Sequence, residues 1–65
     1  MKVRQVIRLL ERDGWALRRT RGSHRQYYHA AKPGCITVPG KPGDELAAGT
    51  LNSILKAAGL KEERP

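Results

Sequence analysis

Residues 21–28 read RGSHRQYY, and whether this run is a turn inside a sheet or a loop between helices decides the fold. Expression vectors leave similar strings at chain ends. This one follows a complete amphipathic segment, and one alternating pattern runs through it, so it belongs to the fold. Arg-Gly-Ser reads as a tight connection between two strands, about Trp15 to Thr20 and His24 to Ala30, with Gly22 able to supply the positive φ that such connections need. Lys-Pro-Gly then separates a third short strand, about Cys35 to Val38. Alternation places His24, Gln26 and Tyr28 on one face of the middle strand and Arg25, Tyr27 and His29 on the other.

On either side of this meander the period changes. Val3, Val6, Ile7 and Leu10 recur at i, i+3, i+4 and i+7, the face of a helix from about Lys2 to Asp13, which Gly14 and Trp15 close. Its other side carries Arg4, Arg8 and Arg12 in one row, either a wet surface or a reach toward a phosphate backbone. Leu51, Ile54, Leu55 and Ala58 form a second stripe, with Thr50 as N-cap and Gly59-Leu60 as the stop, so a second helix is expected over Leu51 to Ala58. Pro39 to Gly49 reads as a loop and residues 61–65 as a frayed tail. The expected architecture is a single α+β domain over residues 1–65, α-β-β-β-α. Two helices lie on one face of a three-stranded antiparallel sheet and bury Trp15, Leu17, Ile36 and Val38.

With 65 residues the core is thin, since a chain of this size buries only about 60% of its unfolded surface. A deep pocket does not fit, which favours a polymeric substrate or a flat partner over a small metabolite. Thirteen Lys and Arg against six Asp and Glu give a formal charge of +7 and point to a polyanion. The imbalance is local. Between Gly14 and Gly43 stand Arg18, Arg19, Arg21, Arg25, Lys32 and Lys41 with no acid, which is +6 of the net +7. Cys35 is alone, so it reads as a small core hydrophobe in a reducing cytoplasm, and no membrane-spanning run or signal peptide is expected.

His24 has two readings from the residues alone. A lone histidine at a strand start commonly caps or faces water. A histidine beside Arg21 and Arg25 could instead move protons, because its unperturbed pKa of about 6.5 leaves both forms populated near neutrality. With arginines on the phosphate, that suits RNA cleavage by the 2′-hydroxyl, which DNA lacks. A metal site from His24, His29 and Cys35 has no paired-cysteine spacing, a two-metal nuclease wants clustered acids, and Ser23 has no neighbouring acid to complete a triad.

Three segments, RGSHRQY (21–27), ITVPG (36–40) and GTLNSILKAAGL (49–60), closely resemble the HicA family in this order. That family is the toxin half of HicA/HicB toxin-antitoxin pairs, small messenger-RNA interferases with a fold like double-stranded-RNA-binding domains. The resemblance implies that His24 is the catalytic histidine, acting without the ribosome, a metal or a cofactor. It implies that Gly22 and Ser23 shape its turn; around it Gly22 and Tyr27 are expected to support the site, and Arg21, Ser23, Arg25 and Lys41 to hold RNA phosphate. Where several such chains carry a histidine after the third-strand proline, this one has Gly40 and Lys41, leaving Lys41 to steady the phosphate charge. The implied partners are messenger RNA and an acidic-surfaced HicB antitoxin, with DNA met only through the antitoxin and no membrane. The alternative is a non-catalytic module of the double-stranded-RNA-binding type, but a lysine-rich start to the second helix is missing here. A DNA-binding regulator would need a basic recognition helix.

Overall fold

A computed structural model describes residues 1–60; the expected fraying of 61–65 lies outside the described residues. The element order is α1 (Val3–Arg12), β1 (Trp15–Arg21), β2 (His24–His29), β3 (Cys35–Val38) and α2 (Ala48–Ala57). This is a small α+β arrangement, with one antiparallel sheet ordered β1-β2-β3.

The start of α1 is capped by its own Gln5 and by a distant loop. Lys2 N–H donates to Gln5 Oε1 at 2.7 Å, while the N–H groups of Val3 and Arg4 donate to the carbonyls of Asp44 (2.9 Å) and Pro42 (3.0 Å). The first N–H groups of a helix have no partner inside it, so the loop after β3 is fastened where they need acceptors. At the other end Gly14 takes φ +100°, and a Cβ there would stand 2.8 Å from His29 Nε2. Only glycine suits that position.

The end of α2 closes as the sequence predicts. Leu60 N–H reaches Leu55 O at 2.8 Å and Gly59 N–H reaches Lys56 O at 3.1 Å, the paired bonds of a Schellman stop. Its start differs. The helix begins at Ala48, with Ala47 at the N-cap and no side-chain cap, so Thr50 lies inside the first turn. The reason is packing: Leu46 is buried just ahead of the helix, and Leu51 N–H already finds Ala47 O at 2.9 Å.

The core is Val3, Val6 and Leu10 from α1, Trp15, Tyr27, Ile36 and Val38 from the sheet, and Leu46, Ile54 and Ala58. Two sequence expectations are corrected. Leu17 pairs with the buried Tyr27 yet is 49% exposed, because β1 is an edge strand and the helices do not cover it that far along. Cys35 is exposed, because the alternation that buries Ile36 and Val38 turns it to the other face.

Candidate nucleic-acid interface

The sheet has one face under the helices and one that they leave open, and β2 distributes its side chains between them as alternation requires. Tyr27 is buried and Tyr28 is exposed, so His24 and Gln26 share the open face with Tyr28. Thr37 and Cys35, opposite Gln26 and Tyr28 on β3, share it too.

β1 contributes its arginines to this face through a bulge. From Trp15 to Leu17 the strand pairs residue for residue with His29 to Tyr27, but the next pair is Arg19 with Gln26, so Arg18 is an extra residue. In an unbroken strand Arg19 and Arg21 would lie on the same face as Trp15. The inserted residue reverses that phase, bringing Arg19 opposite Gln26 and Arg21 opposite His24. Arg18 also reaches this face, its guanidinium 5.2 Å from the centre of the Tyr28 ring. Three arginines and His24 thus converge on the open face, and nothing in the spacing of β1 alone announced the phase change.

The connection between Arg21 and His24 is the two-residue turn Gly22-Ser23. Gly22 has φ +56°, and no non-glycine residue has positive φ, the sign pattern of a II′ hairpin turn. A short turn with the twist of its strands holds Arg21 and His24 in register. Ser23 sits exposed at the tip. Among the described residues the ring of His24 has no hydrogen-bond partner, so both nitrogens face solvent or a ligand.

Arg25 is placed differently from the expectation that groups it with Arg21. It is half-buried on the helix side of β2, opposite Val38, and donates from Nη1 to the carbonyl of Gly40 at 3.1 Å. It thereby anchors the loop in which Lys41 follows. Lys41 N–H donates to Asp44 Oδ2 at 3.0 Å while its side chain remains exposed. Continuing the β2–β3 register past Arg25 and Val38 sets Pro39 alongside His24, with Lys41 two residues on.

Lys32 is engaged within the fold. Its ammonium donates to Asp13 Oδ2 and to the carbonyl of Ala58 (2.9 Å), tying together the ends of both helices. That hydrogen bond, opposed by desolvation and aided by the Lys32 charge and Trp15 Nε1–H, holds the Asp13 carboxyl below its ordinary range. Burial pushes the Tyr27 hydroxyl above its ordinary range. His29 is also structural. Its Nδ1 accepts the N–H groups of Ala31 (2.9 Å) and Lys32 (3.2 Å), which leaves Nε2–H to donate to Asp13 O at 2.5 Å, and the ring meets Trp15 edge to face. The row Arg4, Arg8 and Arg12 is exposed on α1, which covers the other face, so it is not brought to His24.

Over residues 3–60 the sequence matches the family model of the HicA toxin of bacterial toxin-antitoxin systems. The chain belongs to the HicA toxin family. No curated protein matches it at a significant level. Membership makes this chain a toxin-family member with an antitoxin as its counterpart. Among the described residues, no helix is long and apolar enough to cross a membrane, and no three His, Cys, Asp or Glu side chains group as metal ligands.

Proposed function

We propose that this HicA chain is an endoribonuclease that cuts messenger RNA with His24 as general acid/base, without ribosome or metal, and that a HicB-type antitoxin silences it. The observation that carries this reading is the pairing of Arg21 with His24 across the Gly22-Ser23 turn, with the imidazole unengaged and Arg18 and Arg19 on the same face. Arg21 is poised to hold the scissile phosphate, and Lys41 stands on the neighbouring loop to steady its charge.

The chemistry is transesterification. The 2′-hydroxyl loses its proton to a base, its oxygen bonds to phosphorus, and the bond to the 5′-oxygen breaks as that oxygen gains a proton. A 2′,3′-cyclic phosphate and a 5′-hydroxyl result. His24 serves one of the two proton transfers, and the arginines offset the charge that grows on the phosphoryl oxygens. Ser23, at the tip, can donate a hydrogen bond to a phosphate oxygen, while Arg25 acts by holding Gly40 and, through it, Lys41. A site this open is blocked most simply by a partner that lays carboxylates over the arginines, which is the role we assign to the antitoxin in the cytoplasm. A purely RNA-binding role is less well supported, because α2 carries no basic residue in its first turn.

The test is product chemistry. RNA with a deoxyribose on the 5′ side of its scissile bond should bind and survive, while ordinary RNA is cut in EDTA to cyclic or 3′-phosphate ends. Products with 3′-hydroxyl ends, or activity that needs added magnesium, would overturn the mechanism.

A further inference from the structure

Beside His24, the open face carries a second constellation that the cleavage chemistry does not use. A shallow cleft of about 340 Å³ is lined by Arg18, Arg19, Gln26 and Tyr28. Tyr28 is 40% exposed although it lies in the middle strand, and its cross-strand neighbours are the small residues Ala16 and Cys35. The ring therefore lies open, with only the Arg18 guanidinium over it. Gln26, half-buried between His24 and Tyr28, has no side-chain hydrogen bond among the described residues, so both ends of its amide are available.

We infer that this cleft is a base-binding subsite for single-stranded RNA, in which an unpaired base stacks on Tyr28 and Arg18, Gln26 reads its edge, and Arg19 holds the adjoining phosphate. The inference rests on the reading of the open face as an RNA surface and names the substrate feature it selects. A guanidinium lying over an aromatic ring presents a stacked plane that accepts the flat face of any base. A primary amide adds a donor and an acceptor side by side, which adenine matches best. Tyr28 lies four residue steps along the strand from His24, about 13 Å at the rise of a β-strand. The stacked base thus belongs to a nucleotide flanking the scissile one, and the RNA runs along β2. Duplex RNA keeps its bases stacked inside and cannot use the shelf. An acidic protein would engage the arginines and pack on the ring as well, but its binding would not respond to a single RNA base.

Binding to RNA with one abasic ribose placed at successive positions tests this directly. The full chain with His24→Ala and a labelled single-stranded RNA would be followed by fluorescence anisotropy. One abasic position should weaken binding roughly 5- to 150-fold, the range spanned by stacking a base on an aromatic side chain. Adding Tyr28→Ala should weaken binding of intact RNA by a similar factor and abolish sensitivity at that position, while Tyr28→Phe restores both. Oligoadenylate should bind better than oligouridylate, and Gln26→Ala should narrow the difference to what stacking alone supplies. Tyr28→Ala protein that binds intact RNA like its parent, or remains sensitive to the same abasic position, would overturn the subsite. So would weak RNA binding that ignores every abasic site beside tight binding of an acidic protein. Base-sensitive binding by a wild-type protein that never cuts would leave the subsite standing and remove the nuclease reading. Cutting without any base-sensitive position would do the reverse.

Discussion

β2 carries a histidine at each end, and their surroundings are opposite. His29 turns to the helix side, where two backbone N–H groups, the Asp13 carbonyl and the Trp15 ring engage it. His24 stands at the hairpin end on the open face, with no partner for either nitrogen among the described residues and an arginine across from it. A histidine whose two nitrogens are both engaged is fixed in one tautomer and works as a bracket. One whose nitrogens are free beside cations is equipped to meet a phosphate and exchange a proton. The residue type is the same, so the difference comes from the strand face and from which backbone groups lie within reach.

The largest expected effect falls on the bracket. His29→Ala loses three hydrogen bonds and the edge-to-face contact with Trp15, together worth about 2–4 kcal/mol. The thermal midpoint, followed by circular dichroism, should fall by about 10–30 °C for a chain of this size. A shift of only a few degrees would mean that His29 is not what holds this end of the sheet to α1.

A second effect at the same end depends on pH. Because Lys32 holds the Asp13 carboxyl below its ordinary range, the unfolded chain binds that proton more readily than the native one. The resulting stability is fully present above the ordinary carboxylate pKa and is lost as pH falls through the lowered native value. Lys32→Met should therefore be less stable than wild type at neutral pH, with the gap narrowing in strong acid. A gap that stays constant or widens as pH falls would contradict the clasp.

The smallest effect separates Arg21 from Arg25. Arg21→Ala should flatten the log-log dependence of RNA binding on salt by roughly 0.7, one single-strand phosphate contact. Arg25→Ala should change the slope less, because that guanidinium already serves Gly40. Equal changes for the two would mean that Arg25 leaves Gly40 to bind phosphate.

The difference between the two ends of β2 also marks how far the sequence could be read. Helical stripes, glycine stops, strand order and the faces of β2 follow from local periodicity, and Val3, Leu10, Gly59 and Tyr28 behave accordingly. The place of His24 at the start of β2 was legible because the Gly-Ser turn beside it is local. The bracket was not, since His29 meets Asp13 across 16 residues and Lys32 meets Ala58 across 26. No window along the chain contains both partners. Leu17 differs from expectation because alternation assigns a side to each residue but does not say how far the helices extend over the sheet, whereas Cys35 follows the alternation that buries Ile36 and Val38 and so faces away from the core. The bulge at Arg18 reverses the phase of β1 through its pairing with β2, so Arg19 and Arg21 reach His24 by a tertiary effect.

The central claim is that His24 performs chemistry while His29 maintains structure, and one paired measurement tests it most directly. Cleavage rate and thermal midpoint would be determined on the same preparations of wild type, His24→Ala and His29→Ala, with rates taken well below every midpoint. The account predicts that His24→Ala melts like wild type while its cleavage falls on the order of 10²- to 10⁴-fold, and that His29→Ala melts far lower while its folded fraction still cuts. A folded His24→Ala protein that cleaves RNA at the wild-type rate would contradict it.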